Sequence, residues 1–416
     1  MFILELDRWI TFEDALRTLS DQPGLVGLTG TGASSFVACA PVDRCDSVVP
    51  PLSSPCGGWA GQPAAPRWVG VVPYEALRGL ERAAWTTPET RPAVAFSSPA
   101  WSRYDAVLRI DHRSSMSVIE ADDERGARRL VRALQGPPVR RDFSLQALPG
   151  EELAAHVARV RAALEHIAKG DIYQVNLARF LHFQVRGSRV ELFLHTMRSS
   201  PVAYGFFGDF SGATVVGASP ELALSVRGRT LRTGPIKGTR ARGSCASTDR
   251  RAAAELDASD KERAELTMAI DLHRNDLGRV ASPGTVEVAR GPHLQRGAFV
   301  WSRGAEIRAR RAPGATLEAC LRAVFPAGSV TGAPKVRAME IIRDLEVERR
   351  GLYTGALGYV GRDGGMVLAM AIRTMEIGPD GAARYGTGGG IVEGSVPELE
   401  LAETCWKAAH LSALLT

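Results

Sequence analysis

EELAAHVARVRAALEHIAKG, residues 151–170, is where the character of the chain changes. Leu153, Val157, Val160, Leu164 and Ile167 recur at helical spacing, which predicts an amphipathic helix. Lys169 followed by Gly170, a cation and then a residue tolerant of left-handed backbone, predicts its end. Upstream, residues 1 to about 136 read as short strands, among them Val69–Val72 and Ala106–Ile110. Pro and Gly clusters such as Pro50-Pro51-Leu52-Ser53-Ser54-Pro55-Cys56-Gly57-Gly58 punctuate them. Gly136-Pro137-Pro138 marks a boundary, so the expected division is an N-terminal subdomain, 1–136, packed on a catalytic region, 150–416. Beyond residue 170 strands and helices mix without a βαβ rhythm or an internal repeat. That predicts α+β rather than a doubly wound parallel sheet.

Composition excludes several function classes. The 416 residues are 45% hydrophobic and 23% charged, enough for a sizeable core without staples. The formal charge of +5 invites a nucleic-acid reading, but the Arg residues are scattered and form no basic block. Only Lys169, Lys237, Lys261, Lys335 and Lys407 are lysines. Six cysteines form no C-x-x-C, which argues against a zinc or redox site and for a reducing compartment. The N-terminus does not read as a signal peptide, and no apolar run reaches the ~18 residues of a membrane span. A cytoplasmic protein is expected. Neither a P-loop nor a dinucleotide fingerprint is present.

Four constellations carry chemistry. Ser259 is an N-cap candidate for a helix ending at Gly278, in which Glu262 and Glu265 share a face at i, i+3. Glu400 and Glu403 repeat that spacing in a second helix, with Pro397 at its first position after a Ser cap. Two such pairs suit Mg²⁺, although solvated helix faces look the same in sequence. Gly386-Thr387-Gly388-Gly389-Gly390-Ile391-Val392 is read as a loop whose amides converge on an anion. Gly234-Pro235-Ile236-Lys237-Gly238-Thr239-Arg240 is read as a tight turn in which Lys237, desolvated, becomes an amine nucleophile.

In this order, the pieces resemble the chorismate-utilising enzymes. The resemblance runs from about Glu151 to the C-terminus. It rests on Gly170–Leu177, Ala218–Glu221, Pro235–Thr239, Asp271–Gly278, Ser329–Lys335, Ala371–Thr374 and Gly388–Val392. Trp68–Glu75 matches only loosely. The resemblance implies two packed β-sheets surrounded by helices. It implies Mg²⁺ on Glu265 and Glu403, with Glu262 and Glu400 beside them. Gly388, Gly389, Gly390 and Lys407 would receive the ring carboxylate of chorismate. Arg373, Thr331 and Tyr359 would contact the rest of the substrate.

Two positions choose a reaction within the family. Gln174 stands where water-using members have a lysine, so ammonia is the expected nucleophile. Lys237 stands where anthranilate synthases usually have Ala, and matches the aminodeoxychorismate synthase pattern, with Glu221 as the acid. The expected reaction is amination of chorismate at C4 to 4-amino-4-deoxychorismate, on a route to p-aminobenzoate. Ammonia would come from a separate glutamine amidotransferase subunit. Phe299 falls where relatives commonly have a histidine linked to pyruvate elimination, with His293 nearby. Anthranilate formation, 2-amino-2-deoxyisochorismate formation and a non-catalytic glutaminase-binding role remain as alternatives.

Overall fold

The structure is a computed structural model that describes residues 1–29, 34–52, 64–78 and 89–415. Part of the Pro/Gly cluster, Ser53–Gly58, lies outside the described residues. The helix expected after Glu151 forms as Leu153–Ala168, with Lys169 as C-cap and Gly170 at φ +78°. The two named strands form as Pro66–Val72 and Ala106–Asp111.

Among the described residues the strands assemble into two antiparallel sheets of twelve and ten strands. Both draw strands from either side of residue 136. Val26–Leu28 pairs with Tyr204–Phe210 in the first sheet, and Pro66–Val72 with Ala356–Gly361 in the second. Their inner faces meet in one core: Val26, Leu28, Phe36, Phe206 and Val215 against Val69, Val71, Leu357 and Ala369. Helices Phe12–Thr18, Glu124–Ala133 and Arg189–Ser199 cover the outer face of the first sheet through Leu16, Leu130 and Phe193. Asp260–Gly278 and Leu317–Val324 cover the second through Leu266, Leu277 and Leu321. This is the expected α+β architecture, and burial of apolar area at the three interfaces between its layers supplies its main driving force. No helix of the described residues is long and apolar enough to cross a membrane.

Three local expectations are corrected. Gly386–Ile391 is not a loop but the end of strand Ala382–Ile391, paired with Gln174–Gly187 from Val175↔Ile391 to Gln184↔Ala382. Long-range pairing overrides the turn preference of consecutive glycines. Lys237 lies in strand Ile236–Ala241, where Gly238 at φ +71° makes a bulge against Val300–Arg310. Pro397 does open helix Pro397–Ala408, but Val396 precedes it without a side-chain cap. Ser395 instead accepts the Val392 amide at 3.1 Å. The Ser259 cap forms as expected, its hydroxyl accepting the Glu262 amide at 3.4 Å.

Candidate active site

The two sheets and the two glutamate helices enclose a cleft of about 770 Å³, open mouth included. Its floor is the glycine strand. A Cβ on Gly386 would lie 2.4 Å from the Tyr353 ring, and one on Gly388 would lie 2.8 Å from the Tyr353 hydroxyl. One on Gly390 would lie 2.7 Å from Gln174 Nε2 and 3.5 Å from Lys237 Nζ. The glycines are there to let a polar wall approach the backbone. Strand parity sends Gly389 the other way, toward Glu400, so Gly388 and Gly390 line the cleft and Gly389 does not. Among the described residues, the second edge of this strand takes the Gly378 amide at the Ala382 carbonyl and pairs with Thr374–Ile377 at Ala383–Tyr385. Beyond that point Lys407 Nζ takes the Gly388 carbonyl at 2.7 Å and Glu403 at 2.8 Å.

Lys237 Nζ donates to the Ser329 carbonyl at 2.9 Å on one wall. Glu221, 3% exposed, occupies another wall, and its Oε1 makes no hydrogen bond. Burial pushes its carboxyl up to about 7, against the pull of Lys237 and Lys407. Asn176 Nδ2 and Gln174 Nε2 are also buried without partners. Arg373 lines the cleft at φ +51° with no side-chain bond or ion pair among the described residues. Burial holds its guanidinium below the ordinary value, with Tyr385 opposing. Buried polar atoms are normally satisfied, so this concentration of open valences marks a place for a polar ligand. The free donors outnumber the free carboxylate, which favours an anion.

The four glutamates converge without forming a ready cage: no three acidic, His or Cys side chains among the described residues group as a metal centre. Lys261 holds Glu400 at 2.9 Å, Arg240 holds Glu262 at 2.9 Å and Lys407 holds Glu403. Glu265 has no such partner. Its carboxyl is pushed up to about 6, first by burial and then by Glu262 and Glu403, with Lys237 opposing. An unpaired carboxylate repelled by two others is a position a divalent cation would relieve.

Other expectations fail on geometry. Thr331 is fully buried and its hydroxyl is tied to the Ala327 carbonyl at 2.8 Å, so Ser329 and Val330 line the cleft in its place. Tyr359 lies in a separate groove against Phe36, with ring centroids 6.0 Å apart. The cleft tyrosines are Tyr353 and Tyr385. Phe299 is 36% exposed and outside the cleft, its ring 6.5 Å from that of His410. No histidine lines the cleft among the described residues. Asn176, Tyr353 and Tyr385 were not singled out from sequence. An Asn inside the stretch Val175–Leu181, apolar but for Asn176 and Arg179, was the available signal.

Residues 51–413 match the chorismate binding enzyme family. The chain is 40% identical over 374 residues to anthranilate synthase component 1 of Streptomyces coelicolor, covering 83% of this chain and 72% of that one. It is 36% identical over 362 residues to the Thermus thermophilus protein of the same name, covering 82% and 75%. Among solved structures, anthranilate synthase component I of Streptococcus pneumoniae superposes with a TM-score of 0.72 at 27% identity, over 94% of this chain and 91% of that one. The chain belongs to the chorismate-binding enzyme family.

Proposed function

We propose that the chain aminates chorismate with ammonia at C4, giving 4-amino-4-deoxychorismate. The observation that carries this reading is Lys237, whose amine enters the cleft between Ser329 and Gly390. The Lys237 amine attacks ring carbon C2 while both ring double bonds shift, C1=C2 to C1=C6 and C5=C6 to C4=C5, and the C4 hydroxyl leaves as water. Glu221, half protonated near pH 7, supplies the proton to that hydroxyl. Ammonia then bonds to C4, both double bonds shift back, the C2–N bond breaks and the Lys237 amine is released. The net change is chorismate plus ammonia to aminodeoxychorismate plus water.

Arg373, Lys407 and the open edge of the glycine strand are the partners for the two substrate carboxylates. Glu265 and Glu403 would hold Mg²⁺, with Glu262 and Glu400 beside them, and the ion would neutralise the ring carboxylate. Gln174 offers no base for water. A separate glutamine amidotransferase subunit would supply the ammonia.

One finding favours a second reading. The relatives named above are anthranilate synthases, which places amination at C2 with loss of pyruvate in contention. Against it stand Lys237 and, among the described residues, the lack of an imidazole on the cleft wall. The deciding experiment incubates purified chain with chorismate, Mg²⁺ and ammonium, identifies the product by mass spectrometry and measures pyruvate. Aminodeoxychorismate without pyruvate is expected. Anthranilate with one equivalent of pyruvate overturns the proposal in favour of the second reading.

A further inference from the structure

Arg350 lies outside the cleft lining, yet its contacts reach three of the cleft's walls. It is 1% exposed, and all five of its N–H groups are used. Nε and one Nη2 hydrogen go to Glu346, at 3.0 and 2.7 Å. Nη1 donates to the Val330 carbonyl at 2.8 Å and to Thr354 Oγ1 at 3.1 Å. The remaining Nη2 hydrogen goes to the Asn176 carbonyl at 2.7 Å. Glu346 in turn accepts the Ala178 amide at 2.9 Å. The guanidinium lies 4.9 Å from the Tyr74 ring centroid and 5.8 Å from that of Tyr353.

The groups it holds come from separate stretches of chain. Asn176 belongs to strand Gln174–Gly187, Val330 to the short helix Gly328–Thr331, and Thr354 to the turn that carries Tyr353. Asn176, Val330 and Tyr353 all line the cleft. Thr354 sits at φ +62°, a conformation that a non-glycine residue keeps only when its surroundings impose it. Val330 follows Ser329, the carbonyl anchor of Lys237. A planar fork with five fixed donors can tie three segments at set angles, whereas an ammonium cannot.

We infer that Arg350 is a positioning residue: its fork fixes the Val330 and Asn176 carbonyls and thereby aims Asn176, Tyr353 and the Lys237 anchor at the substrate. The inference rests on the proposed amination. Its charge is already neutralised by Glu346, so it acts through geometry rather than through its field.

The test uses the full chain with chorismate, Mg²⁺ and ammonium. Arg350→Lys keeps the charge beside Glu346 and loses the fork. The expected result is a kcat lower by about 30- to 100-fold, the scale of a small misplacement of reacting groups, with KM for chorismate changed less than about threefold. Arg350→Ala should recover about tenfold or more in kcat with millimolar guanidinium but not with methylammonium, which has the charge without the plane. Thr354→Val removes the Arg350 contact together with the hydroxyl's 2.6 Å bond to the Tyr353 carbonyl, and it leaves the Arg350–Glu346 pair intact, so it serves if Arg350→Lys does not fold. It should lose about three- to tenfold in kcat at unchanged KM. The inference is overturned if Arg350→Lys, or the folded Thr354→Val, keeps kcat within about twofold. It is also overturned if methylammonium rescues as well as guanidinium, or if activity merely tracks the folded fraction. Failure of the unaltered chain to aminate chorismate at all would instead sink the proposed function.

Discussion

Two hollows lie between residues of the same two sheets and differ in what lines them. The larger, about 770 Å³, holds Glu221, Lys237, Glu265, Arg373 and Lys407, with open valences on Asn176 and Glu221. The smaller, about 330 Å³, is lined by Leu28, Phe36, Phe206, Leu357, Val367 and two tyrosines. Its Thr29 hydroxyl is already taken by the Gly205 amide at 2.7 Å. A seam between two twisted sheets leaves gaps wherever side chains are small, and apolar gaps cost only lost contacts. Unpaired buried charges cost far more and persist where a ligand completes them. The difference in lining, rather than size, separates a site from a packing defect. That separation can be broken experimentally.

The largest effect is expected at Lys237. Lys237→Ala should lower C4 amination on the order of 10³-fold, about 4 kcal/mol of barrier, while the chain stays folded. Lys237→Arg should be as poor, because a guanidinium keeps its proton. The peptide containing Lys237, quenched with chorismate in the absence of ammonium, should carry an adduct in mass spectra. Near-normal amination by Lys237→Ala would reduce this residue to ordinary strand lining.

Next comes Glu265. Glu265→Gln should lose about 10²-fold in activity, and excess EDTA should abolish turnover of the unaltered chain. Stability should move the other way. The folded carboxyl titrates near 6, above the usual 4.5, so the unfolded chain releases its proton first and the fold loses stability as pH rises across that interval. Glu265→Gln removes that loss and should melt higher than the unaltered chain at pH 8 without metal. A lower melting temperature would show that the carboxylate is already satisfied.

Glu221 tests protonation within the same cleft. Burial sets its titration at about 7, so the acid form needed for leaving-group departure is lost as pH rises through that value. The kcat profile should fall on its alkaline side near pH 7, and Glu221→Gln should lose about tenfold or more along with that limb. A limb unchanged by the substitution assigns it to another group.

What the sequence disclosed was the local part. The glutamate pairs depend on helical spacing, and both helices form where it predicts, although only Ser259 caps its helix as expected. Lys237 and Glu221 were found through residue type and order, and the sheets bring them to one cleft. The glycine strand was misread because its conformation is imposed by Gln174–Gly187, two hundred residues upstream, against the local preference of its residues. Thr331 and Tyr359 were misplaced for a related reason: which way a side chain points depends on helix phase and strand parity, which one residue of shift reverses. Arg350 left no signal at all in a chain crowded with arginine.

The smallest effect is expected in the groove, and it is the most direct test of the comparison. Tyr359 was expected to touch substrate, but its ring packs on Phe36 and its hydroxyl bonds to Arg227. Tyr359→Phe keeps the ring and removes that one hydrogen bond. The cost in stability should be about 1 kcal/mol or less, read as a small shift of the urea midpoint. Both kcat and KM for chorismate should stay within about twofold, since additivity across distant sites leaves the cleft untouched. Tyr353→Phe is the matched control. Its hydroxyl reaches the glycine strand, so the same atom removed there should depress activity by about tenfold. If Tyr359→Phe proves as harmful as Tyr353→Phe, the groove and the cleft are energetically one site, and the contrast in their linings does not separate function from packing.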